Sequence, residues 1–152
     1  MSELRELYQE VILDHSRHPR NHRALAGANR SAEGFNPLCG DKATVYLEVE
    51  DGVVRAASFV GRGCSISTAS ASMMTDIVKG RRLEEVEELF RRFHELITAR
   101  PDPARQADPA LGKLAVFAGV SEFPVRVKCA SLPWHTLRAA LAQENRPVST
   151  EE

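Results

Sequence analysis

Three cysteines and one aspartate are the residues of this chain whose types and placement suit them best to chemistry. Cys39 stands in Asn36-Pro37-Leu38-Cys39-Gly40-Asp41, where the glycine lets backbone come close to whatever the thiol touches. Asp41 lies two residues on. In an extended stretch, positions i and i+2 point to the same side, so a thiolate and a carboxylate can reach one ion. Cys64 stands in Gly61-Arg62-Gly63-Cys64-Ser65. The pattern predicts a helix start there, where unpaired N–H groups and the helix dipole stabilise a thiolate. Arg62 adds to that field. Cys129 follows Arg126-Val127-Lys128 at the predicted start of the last helix, again beside cations.

Three thiolates and a carboxylate make four ligands. Tetrahedral zinc takes such a set, and thiolate with carboxylate also suits iron. The chain holds no CxxC pair, so spacing alone leaves metal ligation, thiol chemistry and simple core packing open. An odd cysteine count speaks against a disulfide framework.

The elements that must position these residues follow from the pattern. Leu4, Leu7, Tyr8, Val11, Ile12 and His15 recur at helical spacing, and Pro19 stops that helix near Arg17. Residues 20–42 read as a long loop. Residues 43–50 alternate as a strand, Asp51-Gly52 supplies a two-residue hairpin turn, and 53–60 form the return strand. Small residues from Ser65 predict a closely packed helix over 65–79, capped by Gly80. Leu83, Val86, Leu89, Phe90, Phe93 and Ile97 share one face of a helix over 83–98. Pro101, Pro103 and Pro109 mark 99–112 as a surface loop. A short helix is expected at 111–118 and a last one at 128–144, with Pro133 near its first turn or at a kink.

The chain of 152 residues predicts a single domain, 1–152, with a core over about 4–142 and a polar tail at 145–152. Its 43% hydrophobic and 27% charged residues fit a globular protein. Twenty Lys+Arg against 21 Asp+Glu give a net charge of -1, which argues against a strongly basic nucleic-acid binder and a general anionic-membrane binder. No apolar run approaches the roughly 18–20 residues of a membrane span. The charged start, Met1-Ser2-Glu3-Leu4-Arg5-Glu6, does not read as a secretory signal, so a cytoplasmic location is expected.

Taken in order, the motifs carry a resemblance. Asn-Pro-x-Cys-Gly-Asp, then Gly-Cys-Ser-Ile-Ser with Ala-Ser-Ala-Ser-Met-Met, then Arg-Val-Lys-Cys-Ala-Ser-Leu-x-Trp, resemble the iron–sulfur assembly proteins of the IscU/NifU superfamily. The opening Leu-Tyr-x-x-Val-Ile-x-Asp-His, followed by His18-Pro19-Arg20-Asn21, is similar to its SufU branch. IscU-type scaffolds carry a histidine before the third cysteine, and here that place is Lys128. The Pro-rich segment near 99–112 resembles part of the SufU insertion.

The resemblance implies a compact α+β fold, a small antiparallel sheet covered by helices, with the site at one end. It implies zinc on Cys39, Asp41, Cys64 and Cys129. It implies persulfide transfer from a pyridoxal-phosphate-dependent, SufS-type cysteine desulfurase, with Cys39 the acceptor and Arg126 the functional arginine. The chain would then be a sulfurtransferase-like carrier that activates its desulfurase and feeds downstream sulfur or cluster acceptors. The alternative is a scaffold on which a [2Fe–2S] cluster, or iron, occupies the same ligands. A structural zinc module is a third reading. His15, His18 and His22 read as an exposed helix end rather than a second metal site, His94 as part of a charged helix face, and His135 as able to approach the site. Trp134, Met73 and Met74 read as packing, and Glu84, Glu85, Glu87 and Glu88 as a solvated acidic face.

Overall fold

A computed structural model describes residues 2–37, 40–99, 109–142 and 148–149. The chain opens with helix α1 (Ser2–Arg17) and then enters a sheet through β1 (Arg30–Asn36), β2 (Asp41–Glu50) and β3 (Val53–Arg62). Helices α2 (Ser65–Val78) and α3 (Leu83–Thr98) follow. A 3₁₀ segment (Pro109–Glu122) leads into the long helix α4 (Pro124–Ala142). β1 pairs antiparallel with β2 and β2 with β3, the antiparallel sheet that the pattern predicted.

The β2–β3 hairpin forms where expected. Asp51 at φ 54° and Gly52 at φ 74° make the two positive dihedrals that match a tight turn to the strand twist. Alternation then sends Ala43, Val45 and Leu47 of β2, with Ala57 and Phe59 of β3, into the core. Each fully buried Val or Leu there contributes about 1.5–3 kcal/mol. α4 packs across β1 and β2, and α2 lies on β3 and α4.

Several expected boundaries move. The loop reading of 20–42 misses β1 altogether. The expected 111–118 helix is a 3₁₀ run broken at Gly112, whose φ is 52°. The last helix begins at Pro124, since a proline at a first helical position loses no hydrogen bond. Cys129 therefore sits in the second turn of α4 rather than at its start. Pro133 lies inside this helix and cannot donate to the carbonyl four residues back, that of Cys129. Of the expected tail, Val148 and Ser149 are described and pair in parallel with Gly34 and Phe35 of β1. Residues 100–108 of the expected proline loop lie outside the described residues.

Small residues let α2 and α4, which carry Cys64 and Cys129, approach closely. Ser67, Ala69, Ser70, Ala71 and Ser72 of α2 are all buried, and the Ser70 hydroxyl donates to the Ala130 carbonyl of α4 at 2.6 Å. Trp134 is packing, as expected: it is buried, and its ring stacks on Phe93 at 4.8 Å. Met73 and Met74 belong to the same core. α4 presses so tightly on β1 that a Cβ at Gly34 would collide with the Thr136 hydroxyl. That hydroxyl is tied to the Leu132 carbonyl at 2.8 Å. Gly34→Ala is therefore expected to cost about 1–3 kcal/mol of stability by overpacking. Adding Thr136→Ala should return part of it, a coupling that urea unfolding of the two single variants and the double variant will measure.

Candidate metal centre

The hairpin, α2 and α4 converge at one end of the sheet. Asp41 opens β2, Cys64 is the N-cap of α2, and Cys129 projects from α4. One carboxylate oxygen and the two Sγ atoms all lie within 4.8 Å of one another. Asp41 and Cys129 are buried and Cys64 is half-buried. The site is thus closed on the protein side and open near Cys64.

Each ligand atom is aimed by a fixed N–H donor. The Cys64 backbone N–H donates to Asp41 Oδ1 at 2.8 Å, which satisfies a carboxylate that is 1% exposed. The Ser67 N–H donates to Cys64 Sγ at 3.5 Å, so the thiol takes the role of a capping side chain. The buried Asn36 side-chain amide approaches Cys129 Sγ at 3.9 Å. Arg126 lies on the exposed first turn of α4 beside both sulfurs. Cys64 foremost raises its pKa above the ordinary arginine value, burial opposes this, and Cys129 adds to the rise. A positive charge thus stands beside the two sulfurs.

The donor set fits zinc. Ligand atoms about 2.0–2.3 Å from a tetrahedral ion lie roughly 3.3–3.8 Å apart. Cys64 Sγ and Asp41 Oδ2 are 3.7 Å apart. Three of the four residues expected to bind metal therefore come together. The fourth, Cys39, lies outside the described residues, in the connection between β1 and β2. That connection is closed by the Gly40 N–H donating to the Asn36 carbonyl at 2.8 Å. Gly40 has φ 73°, so the run into Asp41 turns and the extended-stretch argument for 39–41 does not hold.

Residues 7–130 match the model of the NifU-like N terminal domain. The chain belongs to this family. The relative named "Iron-sulfur cluster assembly scaffold protein IscU" from Streptococcus pyogenes serotype M1 is 38% identical over 141 residues, spanning 93% of this chain and 86% of the relative. The "Zinc-dependent sulfurtransferase SufU" of Bacillus subtilis is 36% identical over 140 residues, 91% of each. A candidate iron–sulfur cluster assembly scaffold for the SUF system of Fervidobacterium islandicum superposes with a TM-score of 0.80 at 32% identity, covering 87% of this chain and 94% of that one. The motif resemblance and the fold it implied are both borne out.

Sequence reading of this NifU-like domain missed two supports of the site. One is Asn36, hidden in what read as a loop. The other is Gly63, where a Cβ would come within 2.5 Å of Asp41 Oδ1. Of the histidines, His18, His22 and His94 are exposed as expected, and His15 is not. His15 is buried rather than exposed, with Nδ1 at 2.7 Å from the Ser72 hydroxyl. His22 is exposed and rests on Phe59 at 4.9 Å. His135 packs against Phe90 at 5.3 Å and His94 at 5.9 Å, and it is not in the Asp41–Cys64–Cys129 cluster. Among the described residues, no helix is long and apolar enough to cross a membrane.

Gly63→Ala crowds the buried Asp41 side chain along its length, 2.5 Å from Oδ1, 2.9 Å from Cγ and 3.1 Å from Cβ, so the carboxylate must move. Metal affinity is expected to fall about 10–100-fold, the range seen when supporting contacts are lost, as read by competition with a chromophoric chelator.

Burial chiefly, then Arg20, lowers the His15 pKa, and burial chiefly, then His94 and Arg138, lowers that of His135. The unfolded chain therefore binds more protons below pH 6.5. This contribution to stability is complete above that pH and is lost as pH falls through the lowered values. The urea midpoint of metal-free protein should drop between about pH 7.5 and 5, and less steeply in the His15→Gln/His135→Gln variant.

Proposed function

We propose that this chain serves iron–sulfur cluster assembly as a zinc-dependent sulfur acceptor, taking persulfide sulfur from a SufS-type, pyridoxal-phosphate-dependent cysteine desulfurase. The observation that carries this reading is the convergence of Asp41, Cys64 and Cys129 beneath the Arg126 guanidinium. Lys128 before Cys129, where the scaffold branch has a histidine, supports it, as does likeness to a relative named a zinc-dependent sulfurtransferase. The reading implies a reducing compartment, the cytoplasm, in which three thiols stay free.

Asp41, Cys64 and Cys129 would hold the zinc, with Cys39 as fourth ligand. When bound, zinc keeps the thiols deprotonated near neutral pH and, having no redox chemistry, leaves the sulfane sulfur intact. Cys64 and Cys129 stay in place because fixed N–H donors and α4 hold them. Cys39 comes from the β1–β2 connection and is the thiolate released to react. Its sulfur attacks the outer sulfur of the donor's persulfide. A new S–S bond forms on Cys39, the donor's S–S bond breaks, and the donor cysteine leaves as thiolate without net oxidation. Arg126, already beside both sulfurs, offsets the negative charge during the exchange. The persulfide then passes to downstream sulfur or cluster acceptors.

The scaffold reading uses the same ligands for a [2Fe–2S] cluster, and likeness to a relative named a scaffold protein favours it. Protein purified without added metal, then given the desulfurase and cysteine, separates the two. About one zinc per chain is expected, with persulfide on Cys39, and Cys39→Ala should abolish stimulation of the desulfurase. Full stimulation by that variant refutes the role given to Cys39. Iron with acid-labile sulfide, and rapid transfer of an intact cluster to an apo-ferredoxin, would instead establish the scaffold.

A further inference from the structure

Beside the metal centre, the sheet presents a row of side chains on the face turned away from α2 and α4. The register sets Phe35 of β1 opposite Lys42 of β2, and Lys42 opposite Arg62 of β3. Ala43, Val45 and Leu47 point into the core, so Lys42 points outward by alternation. All three residues of the row are exposed, Phe35 to 42% despite its size. A groove of about 430 Å³ runs along them and reaches Asp41, with Glu33 the one other exposed charge on its lining.

The row costs stability where it stands. Like charges directly opposite on antiparallel strands repel. Among the described residues, neither Lys42 nor Arg62 makes an ion pair that would offset this. The chain as a whole carries only -1, so the local positive charge is a matter of placement. The placement is next to the site, since Lys42 follows Asp41, Arg62 precedes Cys64 by two residues, and Arg126 stands over both sulfurs.

We propose that Phe35, Lys42 and Arg62 form a docking rim for an acidic face of the persulfide donor protein. This rests on the sulfur-acceptor reading and adds the surface through which the donor is captured. Complementary charge at a rim acts chiefly on the association rate and its salt dependence. The apolar Phe35 ring, already in water, gains burial when the partner seats. The donor approaches along the sheet edge of the site, where Cys39 lies in sequence.

The test measures association with the cysteine desulfurase of the same organism by stopped flow, over a range of ionic strength. Lys42→Glu and Arg62→Glu each replace a repulsive cross-strand pair with an attractive one, so thermal stability should hold or rise. Zinc content of Lys42→Glu should match that of the wild type, and Arg62→Glu, which removes a charge that adds to the field at Cys64, is compared with it. Association should nevertheless slow about tenfold near 50 mM salt, with the gap closing near 0.5 M. Arg55→Glu is the control. Arg55 is exposed on the same strand, seven residues from Arg62 and so roughly 23 Å away, and its reversal should change the rate less than about twofold.

Wild-type association by both rim variants at low salt overturns the docking rim and leaves the sulfur-acceptor reading standing. Loss of zinc without slower association overturns it too, and assigns the cations to balancing the charge of the thiolate site. Failure of the wild-type chain itself to bind the desulfurase removes both readings.

Discussion

Burying the carboxylate of Asp41 is the constraint around which this end of the molecule is arranged. A carboxylate 1% exposed is tolerable only when its lone pairs are filled, and the Cys64 N–H fills one at 2.8 Å. That bond ties the first residue of β2 to the N-cap of α2. It requires a glycine at 63, because any side chain there would take the space of the oxygen. It fixes where α2 begins, hence where Cys64 points. The small-residue contact of α2 with α4, fastened by Ser70 on the Ala130 carbonyl, then brings Cys129 to the same place. The two sulfurs are thus positioned by a carboxylate that needs a partner and by helices free of bulky side chains at their contact.

Much of the frame was legible because its signals are local. Asp51-Gly52 specified the hairpin, the apolar period of 83–98 specified α3, and the glycines around Cys64 specified a helix start. β1 was not legible, and its composition explains why. Its inward residues are Ala32, Gly34 and Asn36, two too small and one too polar to register as a hydrophobic alternation. They are small because α4 lies almost against the strand. A strand read from hydrophobic period disappears when close packing demands glycine. α4 starts at Pro124, ahead of the expected 128, because a proline opens a helix without losing a hydrogen bond.

The site residues were legible as types and the site's supports were not. Cysteine and aspartate narrowed the chemistry to a few readings, and the order of motifs chose among them. Asn36, Gly63 and the Ser67 N–H have meaning only through what the fold brings to them. The same holds for the histidines at the end of α1. Composition made them look like a solvated helix end, whereas α2 covers His15 and offers it a hydroxyl. Membership of the NifU-like family supplied the order of motifs, and the geometry supplied the reasons why those motifs contain glycine and serine as well as cysteine.

Asn36 and Cys129 touch across 93 residues of sequence. At a translation rate of about 5–20 residues per second, roughly 5–20 seconds separate their synthesis. The earlier thiols leave the ribosome with no partner helix to complete their cage. A half-made chain therefore offers metal only loose, unshaped coordination, and the shaped site appears when α4 folds down at the end. Retention of an ion there would in this way wait on completion of the chain, because Cys129 arrives only with α4.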